Sequence, residues 1–252
     1  MPETTVFELI GISKSYRNGR KERPVLTDIT FNISQGDSLA LVGESGSGKT
    51  TLAQILCGLI EPSSGSIAFK GEQSNLAKAV RGEVQLILQD PKDSFDPRWS
   101  IGRSILEPLI QNHTKEEGEK VLLEGLQQVG LPFEIHSRFP RQLSGGQLQR
   151  ASIARALVTN PEVVVADEPL TSLDLISKAQ IVELLYYNVV AKGSTLVLVS
   201  HDLGAVRSLT KHIAVLWKGR LVEYGDTDKV FEDPTHHYTK RLLKASLLGP
   251  QS

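Results

Sequence analysis

Several features are scarce or missing in this chain, and each absence removes a class of protein. There is one cysteine, Cys57, among 252 residues, which excludes an internal disulfide and fits a reducing compartment. Cys57 lies in a helical stripe, so buried packing is its expected role rather than reactivity. No apolar run approaches the ~20 residues that span a bilayer. The first residues, MPETTVFELI, lack the basic start and apolar core of a signal peptide, and the expected location is cytoplasmic. Charge of neither sign is in excess: 28 Lys and Arg stand against 29 Asp and Glu, so composition points to no nucleic acid and no anionic surface as partner. Internal repeats, low-complexity tracts and an obvious interdomain linker are also missing. What remains is 40% hydrophobic and 23% charged, an ordinary globular composition on a chain long enough for a substantial core.

Strand-like and helical patterns alternate along the chain, which predicts an α/β fold with a largely parallel sheet. SLALVG (38–43), VVVAD (163–167) and TLVLVS (195–200) are short continuous apolar runs, typical of strands covered on both faces. The first part differs. VFELIGISKSY and VLTDITFNIS read as antiparallel strands flanking a polar loop, RNGRKERP. Between Pro97 and Pro140 strand character gives way to helical periodicity, expected to form a helical subdomain at about 90–160 inside a single domain, 1–252. A hairpin turning at Lys218-Gly219 precedes a C-terminal tail at about 226–252, with a terminal helix over HHYTKRLLKASLL.

Two stretches look like seats for phosphate. GESGSGKT comprises Gly43, Glu44, Ser45, Gly46, Ser47, Gly48, Lys49 and Thr50, followed by Thr51, and matches G-x-x-x-x-G-K-[ST], the P-loop. Its glycines let backbone N–H groups turn inward around phosphates. Lys49 would reach the β- and γ-phosphates and Thr50 would ligate Mg²⁺. The run lies between an apolar strand and a helix with Leu52, Ile55, Leu56 and Leu59 on one face. In VVVADEP, Asp167 ends a buried strand, where a carboxylate is costly unless it serves a cation. The Mg²⁺ held by Thr50 is the natural client. Glu168, the next residue, is placed to polarise the water attacking the γ-phosphate. The second seat is LSGGQLQRASIARAL (143–157), where Ser144, Gly145, Gly146 and Gln147 open an Ala-rich helix. Such a start leaves backbone N–H groups open beside the positive end of the helix dipole.

With the P-loop, LSGGQ, VVVADEP and a later histidine in this order, the chain resembles the nucleotide-binding subunit of ATP-binding cassette (ABC) transporters, over essentially its whole length. The resemblance implies a P-loop ATPase core with an N-terminal antiparallel β subdomain and an inserted α-helical subdomain. It implies ATP and Mg²⁺ as cofactors. It also implies a head-to-tail pair of cassettes in which each Ser144–Gln147 helix start seats the γ-phosphate held by the other chain's P-loop. Residue by residue, Tyr16 matches the aromatic that stacks on adenine, although a strand-end tyrosine with a wet hydroxyl is a competing reading. Gln89, in LILQDP, matches the glutamine that touches Mg²⁺ and senses the γ-phosphate; Gln85 is the neighbouring alternative. Ser172–Asp174 matches the loop that crosses the dimer interface, and His201, in VSHD, matches the histidine contacting the γ-phosphate. The expected catalytic set is therefore Glu168, His201, Lys49 and Gln89, with Thr50, Gln89 and Asp167 around the metal. Small departures occur at Ala166, where a bulkier residue is commoner, and at Leu170-Thr171, a turn more often small and polar.

A narrower resemblance concerns the task. QDPKDSFDPRWSI and DPTHHYTKRLL look like the corresponding stretches of ATPases that serve dipeptide, oligopeptide and nickel importers, with Asp96 and His237 replacing the usual Asn and Pro. By that analogy residues 93–103 dock a membrane subunit, with Trp99 either an anchor or local packing. His236 and His237, lacking a third ligand, are expected to start a helix rather than bind metal. The implied partners are a second ATPase subunit, identical or a paralogue, two transmembrane permeases and an extracytoplasmic solute-binding protein, with no nucleic acid. The implied place is the cytoplasmic face of the cell membrane. A soluble ABC-type ATPase acting on a macromolecule, and an exporter subunit, are the alternatives.

Overall fold

The apolar runs of the sequence become neighbouring strands because each is hydrophobic on both faces and must be covered on both. The computed structural model describes residues 4–19, 21–109 and 115–247; positions 1–3, 20, 110–114 and 248–252, including parts of the predicted helical segment and tail, lie outside the described residues. In chain order the strands and helices are β1 (Thr5–Asn18), β2 (Lys21–Ser34), β3 (Ser38–Val42), α1 (Lys49–Leu56), β4 (Ser64–Phe69), α2 (Leu76–Ala79), β5 (Val84–Ile87), α3 (Ile101–Leu106), α4 (Lys115–Gln128) and α5 (Gly145–Leu157). They continue with β6 (Val163–Asp167), α6 (Leu175–Leu185), β7 (Thr195–Val199), α7 (Leu203–Leu209), β8 (His212–Trp217), β9 (Arg220–Asp226), α8 (Thr227–Glu232) and α9 (His237–Leu247). Short 3-10 turns join several of these, and α6 runs on into a π-helical turn at Tyr186–Val190.

Two sheets result. One is three-stranded and antiparallel, in the order β2-β1-β4; the other is six-stranded, in the order β5-β6-β7-β3-β8-β9. In the larger sheet β5, β6, β7, β3 and β8 are parallel, and β9 closes one edge antiparallel to β8. Side chains alternate across a strand, and the large sheet sorts them accordingly. Leu39, Leu41, Val163, Val165, Val197 and Val199 face a core shared with α1 and the antiparallel sheet. Ala40, Val42, Val164, Ala166, Leu196 and Leu198 face a second core shared with helices α3 to α7. The sheet is thus a partition between two hydrophobic cores, and β3, β6 and β7 are buried along their whole length.

Some expectations need correction. Most of the polar loop RNGRKERP is strand: the β1–β2 ladder continues through Tyr16 opposite Arg23, Arg17 opposite Glu22 and Asn18 opposite Lys21. Opposite charges facing across the ladder stabilise this extension, and Pro24 is tolerated because β2 is an edge strand. Leu59 does not continue the buried stripe of α1, which ends at Leu56; it is 61% exposed. Strand β4 went unread because SGSIAF holds few apolar residues and a glycine. The hairpin between β8 and β9 does turn at Lys218-Gly219, both at positive φ (49° and 78°), the backbone that suits a two-residue hairpin.

Candidate functional site

In a parallel sheet every strand delivers its following loop to the same edge, and ligands of such folds sit beyond the strands' carboxyl ends. Here β3, β5, β6 and β7 end next to the P-loop, Gln89, Asp167-Glu168 and His201 respectively. A cavity of about 480 Å³ is lined by Gly43, Ser45, Gly46, Gly48, Lys49, Thr50, Thr51, Gln89, Glu168 and His201, together with Arg23, Val25 and Thr171.

The P-loop adopts a backbone that only glycine allows at two points. A Cβ on Gly43 (φ 150°) would run into the carbonyl oxygen of Leu216, and one on Gly48 (φ 106°) would meet Leu26. Gly48 is the left-handed N-cap of α1, so Lys49 begins the helix with its side chain folded back. Its Nζ donates to the carbonyls of Gly43 (2.8 Å) and Glu44 (3.0 Å). Burial pulls the Lys49 pKa down, while the carboxylates of Glu168, Asp167 and Glu44 act to keep the ammonium charged.

Asp167 is 5% exposed, and its Oδ1 accepts from the Thr50 hydroxyl at 3.3 Å. Burial raises its pKa, and the Thr50 hydrogen bond opposes that rise. Glu168 follows in a left-handed conformation (φ 49°), its N–H donating to Val199 O at 2.9 Å. A non-glycine residue held there is strained, and the strain aims its carboxylate into the cavity. Glu168 Oε2 lies 2.7 Å from His201 Nδ1 and 3.4 Å from the Thr171 hydroxyl. A histidine ring with one nitrogen on a carboxylate has its tautomer and orientation fixed. The arrangement can hold polyanionic oxygens against N–H groups and an ammonium, and can place a carboxylate base beside them.

The Ser144–Gln147 helix start behaves differently. Ser144 is the N-cap of α5: its hydroxyl accepts from Gln147 N–H (3.3 Å), and Gln147 Oε1 accepts from Ser144 N–H (3.1 Å). This reciprocal capping box takes up the Gln147 amide, which the sequence reading leaves open for an anion. Neither Ser144, Gly146 nor Gln147 lines the P-loop cavity; Gly145 lines a neighbouring one of about 570 Å³ that also borders Thr50, Gln89 and Asp167. Asp174 likewise stays outside, capping α6 by accepting from the Ser177 amide (2.9 Å) and hydroxyl (2.6 Å), donors that hold its pKa down. Tyr16 also lies outside the cavity lining, half-exposed beneath the Lys14 ammonium, but pairs across the ladder with Arg23, which does line it. Gln85 sits within β5, so Gln89 is the glutamine at the site. Trp99 is half-buried under the Arg103 guanidinium, 4.0 Å from its ring centre. His236 and His237 pack on Trp217, and no metal-competent cluster of three or more ligands occurs among the described residues.

Sequence reasoning missed Arg23, Val25, Thr171 and Tyr238. Arg23 was hidden in a stretch read as loop. Tyr238 lies 194 positions from its partner, Glu44, whose N–H donates to the phenol oxygen at 2.7 Å.

Comparison with known proteins agrees with this fold. Residues 26–171 match the family model described as ABC transporter. The chain is 39% identical to the dipeptide transport ATP-binding protein DppF of Haemophilus influenzae, over 96% of this chain and 78% of that one. It is 39% identical to the oligopeptide transport ATP-binding protein OppF of Streptococcus pyogenes serotype M1, covering 95% and 81% respectively. Among solved structures, a dimeric ATP-binding cassette in a post-hydrolysis state bound to ADP and Pi superposes with a TM-score of 0.80 at 30% identity, covering 88% of this chain and 98% of that one. Another, cbiO1 from Clostridium perfringens, part of an ABC transporter complex, gives 0.78 at 26% identity over 92% of each chain. Matches of this extent show the family: the chain belongs to the ABC transporter family, as a subunit that binds and hydrolyses ATP.

Proposed function

We propose that this subunit powers import of peptides, working as one of two cassettes that clasp ATP between the P-loop of one and the Ser144–Gln147 helix start of the other. The observation that carries this reading is the division of the site. Lys49, Thr50, Glu168 and His201 line one cavity, while Ser144, Gly146 and Gln147 stand outside it. One copy therefore offers a phosphate cradle and, elsewhere, a second anion seat without a cradle. The names of the dipeptide and oligopeptide relatives favour peptide over nickel or a metallophore as cargo.

In this reading the P-loop amides and Lys49 bind the phosphates, Glu168 accepts a proton from the attacking water, and His201 orients Glu168. The residues also fit a divalent cation, because Asp167 is a buried carboxylate that accepts from the Thr50 hydroxyl. Thr50, Asp167 and Gln89 would hold Mg²⁺, which supplies charge compensation for the phosphate oxygens. The helical segment at about 90–160 acts as the lever, docking one of two permease subunits through residues 93–103 at the cytoplasmic membrane face. A solute-binding protein delivers the peptide to the permeases.

Mixing tests the division. Copies carrying Lys49→Ala and copies carrying Ser144→Arg are each inactive alone, and mixing them restores part of the ATP cleavage, because one of the two composite sites is then intact. Specific activity that stays flat on dilution into the fully monomeric range overturns the reading. For the cargo, permease complexes in lipid respond to peptide-loaded binding protein with faster ATP cleavage.

A further inference from the structure

The C-terminal helix α9 reaches the P-loop, a link the ATPase chemistry above does not use. Its start is pinned to β9 by Glu223, whose carboxylate accepts from the Thr235 amide (2.6 Å), the Thr235 hydroxyl (2.9 Å) and the His236 amide (3.1 Å). Tyr238, the buried second residue of α9, stacks on Trp217 with ring centres 5.5 Å apart and planes 19° from parallel. Trp217 ends β8, and the turn that follows it touches the P-loop, with Gly219 N–H donating to Ser47 O at 3.2 Å. On this platform the Tyr238 phenol oxygen accepts the N–H of Glu44. Glu44 is thereby held at both ends of its residue, since its carbonyl accepts from Lys49 Nζ (3.0 Å) and from Ser47 N–H (3.2 Å).

We propose that Tyr238 is a positioning residue for the nucleotide site, fixing the Glu44 peptide and with it the curvature of the P-loop. The proposal rests on the reading of Lys49 as the phosphate-binding ammonium. When Lys49 turns to phosphate it gives up the Gly43 and Glu44 carbonyls, and the Tyr238 bond then holds the front of the loop together with the Ser47 N–H on the Glu44 carbonyl. Without it the loop must be ordered by the ligand, and that ordering is taken from binding. Burial raises the Tyr238 pKa, so the phenol stays neutral throughout the physiological range. The contact also ties nucleotide affinity to the seating of α9. Anything that lifts the helix weakens nucleotide binding, and nucleotide binding in turn stabilises the helix on its platform.

The test is Tyr238→Phe, which deletes one oxygen and keeps the stacked ring. ADP binding to the full chain, measured by calorimetry, should weaken about fivefold, the factor that one hydrogen bond of ordinary net strength represents. The KM for ATP should rise by a similar factor while kcat at saturating ATP holds. Hydrogen–deuterium exchange of the ligand-free P-loop peptide should quicken in the variant, and a merely structural role in the distant helix would not produce that. Unchanged ADP affinity together with unchanged P-loop exchange overturns the proposal. Lys49→Ala in the same assay separates the two ideas: if it abolishes ADP binding while Tyr238→Phe changes nothing, only Tyr238 is dismissed, and if it leaves ADP binding intact the underlying assignment of Lys49 falls.

Discussion

The two proposed phosphate seats differ in how complete they are. The P-loop seat is walled by strand ends, its lysine is buried, and its acids are hydrogen-bonded within the chain. The α5 seat is a finished helix start with its cap already closed, exposed and next to the start of α6, where a Cβ on Gly146 would lie 3.7 Å from Ser177 Oγ. Beside it Leu175 and Ile176 are 83% and 72% exposed, unusual for adjacent large aliphatics. Pre-organisation is concentrated where chemistry is expected, and an open apolar surface lies where a partner is expected. Two copies of the same general device, backbone N–H groups at a helix start, thus acquire opposite characters from their surroundings.

The sharpest way to break this contrast is Glu168→Gln. Turnover should fall by roughly 10²–10⁴-fold, the usual worth of a positioned base, with nucleotide binding retained in an equilibrium assay. Turnover that survives removes Glu168 from the completed half. Lys49→Ala should cost the isolated chain about tenfold or more in ADP affinity, as expected for a charge-assisted contact to phosphate. Ser144→Ala should leave that affinity alone and instead lower stability by about 1 kcal/mol through the lost cap, read as a drop in Tm.

Asp167→Asn probes what the completed half costs. Burial raises the Asp167 pKa, so its charged form is disfavoured in the fold. The stability attributable to this group is greatest at low pH and is lost as pH rises through the raised folded value. The amide removes that loss and should raise Tm at neutral pH, while activity disappears. Its denaturation midpoint should also depend less on pH than that of the parent. The smallest effect is expected from Leu175→Ser with Ile176→Ser. Exposed positions change stability by about 0.5 kcal/mol or less, yet self-association, followed by sedimentation, should weaken. A large loss of stability would show that these residues belong to the core of a single copy.

Much of this was legible beforehand for an identifiable reason. Strands β3, β6 and β7 announce themselves because burial on both faces demands continuous apolar runs, and the P-loop and VVVADEP motifs sit at their ends. Short β4 was not legible because its pairing partners in β1 are distant in sequence, and the tip of the β1–β2 hairpin was not legible because its ladder is carried by polar residues that read as loop. Leu59 misled because periodicity continued one turn beyond the helix. The hydrogen bonds between His201 and Glu168 and from Glu44 N–H to Tyr238 depend on three-dimensional closure that no local pattern encodes. The closed cap at Ser144 was written in the sequence as Ser-x-x-Gln, a capping box that the glycines drew attention away from.

Cys57 has a practical consequence. It packs against the core beside α1, and burial pushes its thiol pKa up to about 12, so almost none of it is thiolate at neutral pH. Maleimide or nitroxide reagents should therefore leave the parent chain nearly untouched. A cysteine introduced at Leu175 or Ile176 could then carry a fluorophore or spin probe without first replacing Cys57, and distances across the proposed pair of cassettes could be followed through the cycle in an otherwise unaltered protein.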